Sequence, residues 1–227
     1  IRYHQGRDLY YDVSDGDLDY ITLPSNLKVI YNGRAYPGYT MDDFIINSGS
    51  VVITSTPGEK NDLAIVTAYE VLAIESIDVK NKVLSFKYNL GKYIDLGANT
   101  VKYYSIRNAL GESVEFADLK EWNVLNIASD KANEIFYISV SSETFESTVD
   151  SLFTNNNKPH LECFMGTYEI ADNPALLAQI SIGTEGTFYL DLDQRVAAVN
   201  QNTNNTKAAY LIDYTKEKGQ INTQVTI

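Results

Sequence analysis

Apolar residues in this chain recur at alternate positions in short runs, and the runs are separated by clusters rich in Gly, Pro, Asn and Asp. Such a pattern predicts half-buried strands joined by tight turns. The same order of signals occurs three times: a hairpin, a single helical turn, then a second hairpin. In the first copy residues 27–31 turn at Asn32-Gly33 and return through 34–36, and Asn-Gly is the strongest short signal for a type I′ turn. Thr40 then caps a short helix, with Asp43 three residues on reaching back as in a capping box. Residues 50–54 and 63–67 form the second hairpin around Pro57-Gly58.

The second copy reads as strands at 101–106 and 113–116, a helical turn at 118–122, and a hairpin of 124–127 with 135–140. In the third, residues 160–164 turn at Gly166 into 167–170. Asn173-Pro174 opens a helical turn over 175–179, and 186–190 pairs with 195–199. Further strands at 71–77 and 82–86 introduce the second copy, and 147–153 introduces the third. The expected fold is all-β, a tandem of small barrel- or sandwich-like units over residues 1–68, 69–142 and 143–227, the first open to truncation at its start. The joins at 68–70 and 141–144 contain no Gly or Pro, so strands should run directly from unit to unit. Units of this size gain little from their own cores and should lean on one another.

Composition narrows the function. A hydrophobic content of 44% with 17 Tyr and 8 Phe describes a folded, β-leaning chain. A net charge of -12 repels phosphates and argues against nucleic acid as a partner. Cys163 is the lone cysteine, which excludes an internal disulfide framework and a Cys-based zinc finger. No run reaches the roughly 18 apolar residues that span a bilayer, so no membrane insertion is expected. The chain begins at Ile1 without an initiator Met and reads as a fragment, so the lack of a signal peptide carries nothing about location.

Three segments carry a family resemblance: Lys-Val-Ile-Tyr-Asn-Gly at 28–33, Phe-Ala-Asp-Leu-Lys-Glu-Trp-Asn-Val-Leu at 116–125, and Gly-Thr-Glu-Gly-Thr-Phe-Tyr-Leu-Asp at 183–191. They resemble the non-catalytic β-rich repeats found beside S-layer homology domains in surface proteins of Gram-positive, often clostridial, bacteria. The resemblance implies an extracellular protein displayed on the cell wall, with wall components or neighbouring surface-protein domains as partners. Repetition of one β unit, with little reactive chemistry in it, points to a structural or spacer role, with a cell-wall or carbohydrate-binding module as the alternative. The sequence departs from that family in two ways: it contains no S-layer homology domain, and Asp193-Gln194-Arg195 lacks the Gly expected in its turn.

Candidate chemistry is sparse. His4 and His160 are the only histidines, and the spacing of His160 and Cys163 on a strand sends their side chains to opposite faces. No catalytic residue is assigned, and no enzyme activity is expected. Gly183-Thr-Glu-Gly186 precedes a strand, where a phosphate loop requires a helix, so no cofactor-binding residue is assigned either. The densest acidic cluster is Asp12, Asp15, Asp17 and Asp19 around Gly16. Asp15, Asp17 and Asp19 are the candidates for calcium, but the distal bidentate Glu of an EF-hand is missing and the expected binding is weak or absent. Tyrosines at 3, 10, 11, 20, 31, 36 and 39 crowd the N-terminal third and could stack on sugars or fill a core. Trp122 is expected to anchor the core of the second unit.

Overall fold

Strand pairing divides along the chain, in a computed structural model that describes residues 1–13 and 17–202. The first unit holds β1 (Tyr3–Gln5), β2 (Asp8–Asp12) and β3 (Leu18–Thr22) in one sheet. A second sheet contains β4 (Lys28–Tyr31), β5 (Arg34–Ala35), β6 (Gly49–Thr54) and β7 (Leu63–Ala68). The second unit is one sheet of β8 (Glu70–Asp78), β9 (Val83–Phe86), β10 (Tyr93–Asp95), β11 (Tyr103–Asn108), β12 (Val124–Ser129) and β13 (Ile135–Ser141). The third comprises β14 (Thr144–Asn155), β15 (Lys158–Cys163), β16 (Gly166–Glu169), β17 (Glu185–Leu190) and β18 (Val196–Gln201). The all-β class expected from the sequence is what the chain adopts. No described helix is long and apolar enough to cross a membrane.

Local chemistry explains the turns. Asn32 and Gly33 both take positive φ, 45° and 81°, as a type I′ turn requires. The Thr40 amide donates to Asp43 Oδ2 at 2.7 Å across the helical turn Met41–Phe44. Asn173 accepts from the Ala175 and Leu176 amides at the start of Pro174–Leu177. The second helical turn lies earlier than the sequence suggested, at Phe116–Asp118 instead of 118–122. Phe116 and Leu119 are the residues that bury there, and Trp122 sits beyond the turn with a left-handed φ of 70°.

One strand in each later unit changes partner partway along. β14 pairs with β17 through Thr144–Thr148 and with β15 from Val149 onward, with a register shift between Val149 and Ser151. β8 does the same, with Glu70–Ala73 on β12 and Ile74 onward on β9, with a shift between Ile74 and Ser76. In the third unit the circuit runs β14, β15, β16, then through the parallel Ile170–Val196 bridge to β18, β17 and back to β14. Five strands in this order, with a helical turn between the third and fourth, have the connectivity of an OB-fold barrel. The second unit repeats it with the third strand split into β10 and β11, the latter parallel to β13. The first unit repeats the far half, with β4 parallel to β7 and β6 antiparallel to β7.

This register reassigns one hairpin. β15 and β16 correspond to β9 and β10, and the third unit's counterpart of β4 shrinks to the bridge at Ile170, because the chain passes from there almost at once into the Asn173 cap. Each unit has its own core, centred on Leu9, Phe44 and Val66, on Ile74, Phe86 and Leu125, and on Leu161, Leu176 and Phe188. A further cluster lies between the second and third units, where Ala73 and Val124 meet Ala171, Ala197 and Ala198. Small side chains let the two backbones approach closely there.

Candidate functional site

The chemistry of the third unit is concentrated in the turn between β17 and β18. Asp191 is fully buried, and its Oδ1 accepts from the amides of Asp193 and Arg195 at 2.9 and 2.8 Å. Its Oδ2 accepts from Arg195 Nε and Nη2 at 2.8 and 2.6 Å. Asp191 thereby closes the turn and holds the guanidinium in place. The glycine expected in this turn is replaced by Gln194, which adopts φ 62° with that support. Arg195 Nη1 reaches the first unit and donates to the Asn47 carbonyl at 2.9 Å, while Ser48 Oγ donates to Asp193 at 2.7 Å.

These contacts floor a cleft of about 780 Å³ between the first and third units. Its wall on the first unit is largely apolar, with Ile1, Ile21, Ile46, Val51 and Ile53 beside Tyr11 and Ser50. The opposite wall is polar: Lys158 pairs with Glu169 at 2.9 Å, and Arg195 lies 3.2 Å from Asp193 and 4.0 Å from Glu169. An apolar wall facing a few fixed polar groups at a junction between units is the usual setting of a binding cleft.

The second unit docks on the first through the equivalent turn. Asp130 follows β12 as Asp191 follows β17, and its Oδ1 accepts from the Glu134 and Ile135 amides at 2.7 and 3.0 Å. Arg34 of the first unit donates to Asp130 and to Glu134, each at 2.6 Å. Asn32 Nδ2 adds a bond to the Ser129 carbonyl at 2.7 Å. Burial pushes the Asp130 carboxyl up, but Arg34 and the two amides outweigh it and hold the group below the ordinary carboxylate range. Sequence reasoning missed Asp130, Asp191, Arg34 and Arg195, although an Asp directly after the first strand of both closing hairpins was a readable signal.

Of the residues singled out from sequence, Tyr11 lines the cleft, and Tyr31 and Tyr36 lie under Lys131 beside the Arg34–Asp130 pair, while the others fall elsewhere. Asp12 pairs with Arg2 at 2.7 Å, and Asp19 accepts from the Tyr20 amide and Tyr11 hydroxyl. Asp17 is exposed, and Asp15 lies outside the described residues. Among the described residues no three His, Cys, Asp or Glu side chains gather as a metal site would need. Cys163 is buried in the third core, and His160 stacks on Phe153. Tyr3, Tyr10 and Tyr20 form a ladder across β1, β2 and β3, with Tyr3 and Tyr10 stacked at 4.6 Å. Trp122 is half-buried at the junction of the second and third units instead of in a core. It stacks on Tyr189 at 5.2 Å, with Lys87 Nζ 3.7 Å above its ring.

No protein-family model matches this chain, and no curated protein or solved structure is measurably similar to it.

Proposed function

We propose that the chain is a non-enzymatic structural or spacer region of a bacterial cell-surface protein, in the manner of S-layer-associated repeats. The observation that supports this reading is where the buried polar groups go. Asp130 with Arg34, and Asp191 with Arg195 and Asn47, tie hairpin turns to neighbouring units. Trp122 and Tyr189 serve the remaining junction. Each unit therefore touches both others, which suits a firm block more than a row of hinged beads. The extracellular, cell-wall setting rests on the sequence resemblance, and fold connectivity adds nothing to it, since OB-type barrels host many functions.

A block of this kind unfolds cooperatively. Calorimetry of the intact chain should give one transition whose calorimetric and van't Hoff enthalpies agree. Three separate transitions would describe independent units and remove the basis for the reading. The glycan-binding alternative needs ring faces open to a sugar; Tyr3 and Tyr10 turn one face each to the other, and Tyr20 and Tyr93 are the exposed rings it would use. Incubation with isolated cell walls and a glycan panel separates the two: a spacer shows no saturable sugar binding, and micromolar binding to a defined sugar would replace it. Turnover of a wall polymer would exclude both.

A further inference from the structure

Two copies of the fold place a strand where the first unit shows none among the described residues. β12 is flanked by β13 and by Glu70–Ala73 of β8, and β17 is flanked by β18 and by Thr144–Thr148 of β14. Among the described residues their counterpart β6 pairs with β7 alone. Burial follows the pairing. Val124, Leu125, Asn126, Ile127 and Ala128 of β12 are all buried, as are Gly186, Phe188 and Leu190 of β17. No residue of β6 is buried, and Val52 is 50% exposed.

The backbone shows which groups face the gap. Ser48 O accepts from the Tyr69 amide at 2.9 Å. Bonded and non-bonded pairs alternate along an antiparallel ladder, so Ser50 and Val52 bond to β7 while the amides and carbonyls of Gly49, Val51 and Ile53 turn outward. Gly-Ser-Val-Val-Ile-Thr carries no charge and no Pro, the usual devices for blunting an edge. Gly49, Val51 and Ile53 also line the 780 Å³ cleft beside Ile21 and Ile46.

We propose that the open edge of β6 is a strand-acceptor site. An extended polypeptide segment of the same kind as Glu70–Ala73 and Thr144–Thr148 pairs antiparallel with β6 and completes the first barrel. Backbone hydrogen bonds supply the affinity, and alternate side chains supply the selectivity. Apolar side chains on one face of the segment enter beside Ile21 and Ile46, and polar ones on the other face Lys158, Glu169 and Arg195. This assignment stands on the pairing of the two later units and is independent of the spacer reading.

Synthetic peptides covering residues 69–76 and 143–150, with scrambled controls, titrated by anisotropy into the intact chain test the assignment. At least one peptide should bind saturably, its scrambled form should not, and Val51→Pro should weaken binding at least tenfold. That variant removes an outward N–H without cutting a β6–β7 bond, and Val51→Ala controls for the side chain. Should Val51→Pro fail to fold, hydrogen exchange of the parent decides: peptide should protect the Gly49, Val51 and Ile53 amides at least tenfold. No binding at millimolar peptide, equal binding by Val51→Pro, or unchanged exchange would overturn the site. So would sedimentation showing a dimer of the parent that Val51→Pro disperses, since β6 would then pair with β6 of a second copy.

Discussion

Arg34 on the first unit and Asp130 on the second meet at 2.6 Å, and the carboxylate they share with the Glu134 and Ile135 amides is almost completely buried. One side chain therefore closes a hairpin turn and receives the neighbouring unit. Its energetic character follows from that double use: an unmade bond at such a site exposes nothing to water and leaves several donors unsatisfied.

Asp130→Asn should lower stability at neutral pH by roughly 1.5 to 3 kcal/mol, the range for hydrogen bonds to a charged group. The sign of the pH effect is fixed by the depressed folded-state pKa of Asp130. The stabilisation is complete above the unfolded value, about 3.9, and is lost as pH falls through the lower folded value. Melting temperatures of parent and variant should differ most near neutrality and converge in acid. A constant offset at every pH would mean that the carboxylate's charge is irrelevant.

Trp122→Ala and Phe188→Ala should fail in different ways. Phe188 is fully buried and stacks on Phe145 at 5.0 Å, so its removal empties the third core at a cost of roughly 3 to 5 kcal/mol. Trp122 holds a junction, and its loss should cost less, about 1 to 2 kcal/mol from the lost stacking and burial. Its signature is a single calorimetric transition splitting as the second and third units uncouple. An unsplit transition with an unchanged midpoint would show that the Trp122–Tyr189 stack contributes nothing to docking.

Strands and turns were legible because their signals are local. Asn32-Gly33, the Thr40 and Asp43 pair and Asn173-Pro174 each act within a few residues, and each forms as its chemistry requires. The displaced helical turn at Phe116 and the position of Trp122 were not legible, since both depend on which apolar side chain finds a partner across a distant interface. The cleft was hidden for the same reason: Ile21 and Val51 belong to one unit, Glu169 and Arg195 to another, and nothing in the spacing of the chain brings them together.

Millimolar calcium should leave the melting temperature unchanged relative to chelator. Asp12 is already engaged by Arg2, and Asp19 by Tyr11 and the Tyr20 amide, so two of the four clustered carboxylates would have to exchange existing partners for the ion. A ligand that binds the native state raises its stability by linkage, and a rise of several degrees would show that the cluster reorganises around the metal.

Gly49→Ala should be among the most damaging exposed substitutions in the molecule. A Cβ at Gly49 would lie 1.9 Å from the Thr67 carbonyl oxygen, and its φ of 119° is one that side chains with a Cβ rarely adopt. Gly186 occupies the matching place in the third unit, where a Cβ would fall 2.2 Å from the Asn200 carbonyl oxygen. Both obstacles are backbone atoms of the paired strand, so relief requires breaking the β6–β7 or β17–β18 ladder, at a cost of at least about 2 kcal/mol. Gly38 is the internal control: the nearest atom to its Cβ is a Tyr36 ring carbon at 3.7 Å, so Gly38→Ala should be neutral or slightly stabilising. Denaturant melts of the three variants test the contrast. Equal stability of Gly49→Ala and Gly38→Ala would mean that β6 shifts freely against β7, and with it the outward direction of the Val51 and Ile53 backbone would be lost.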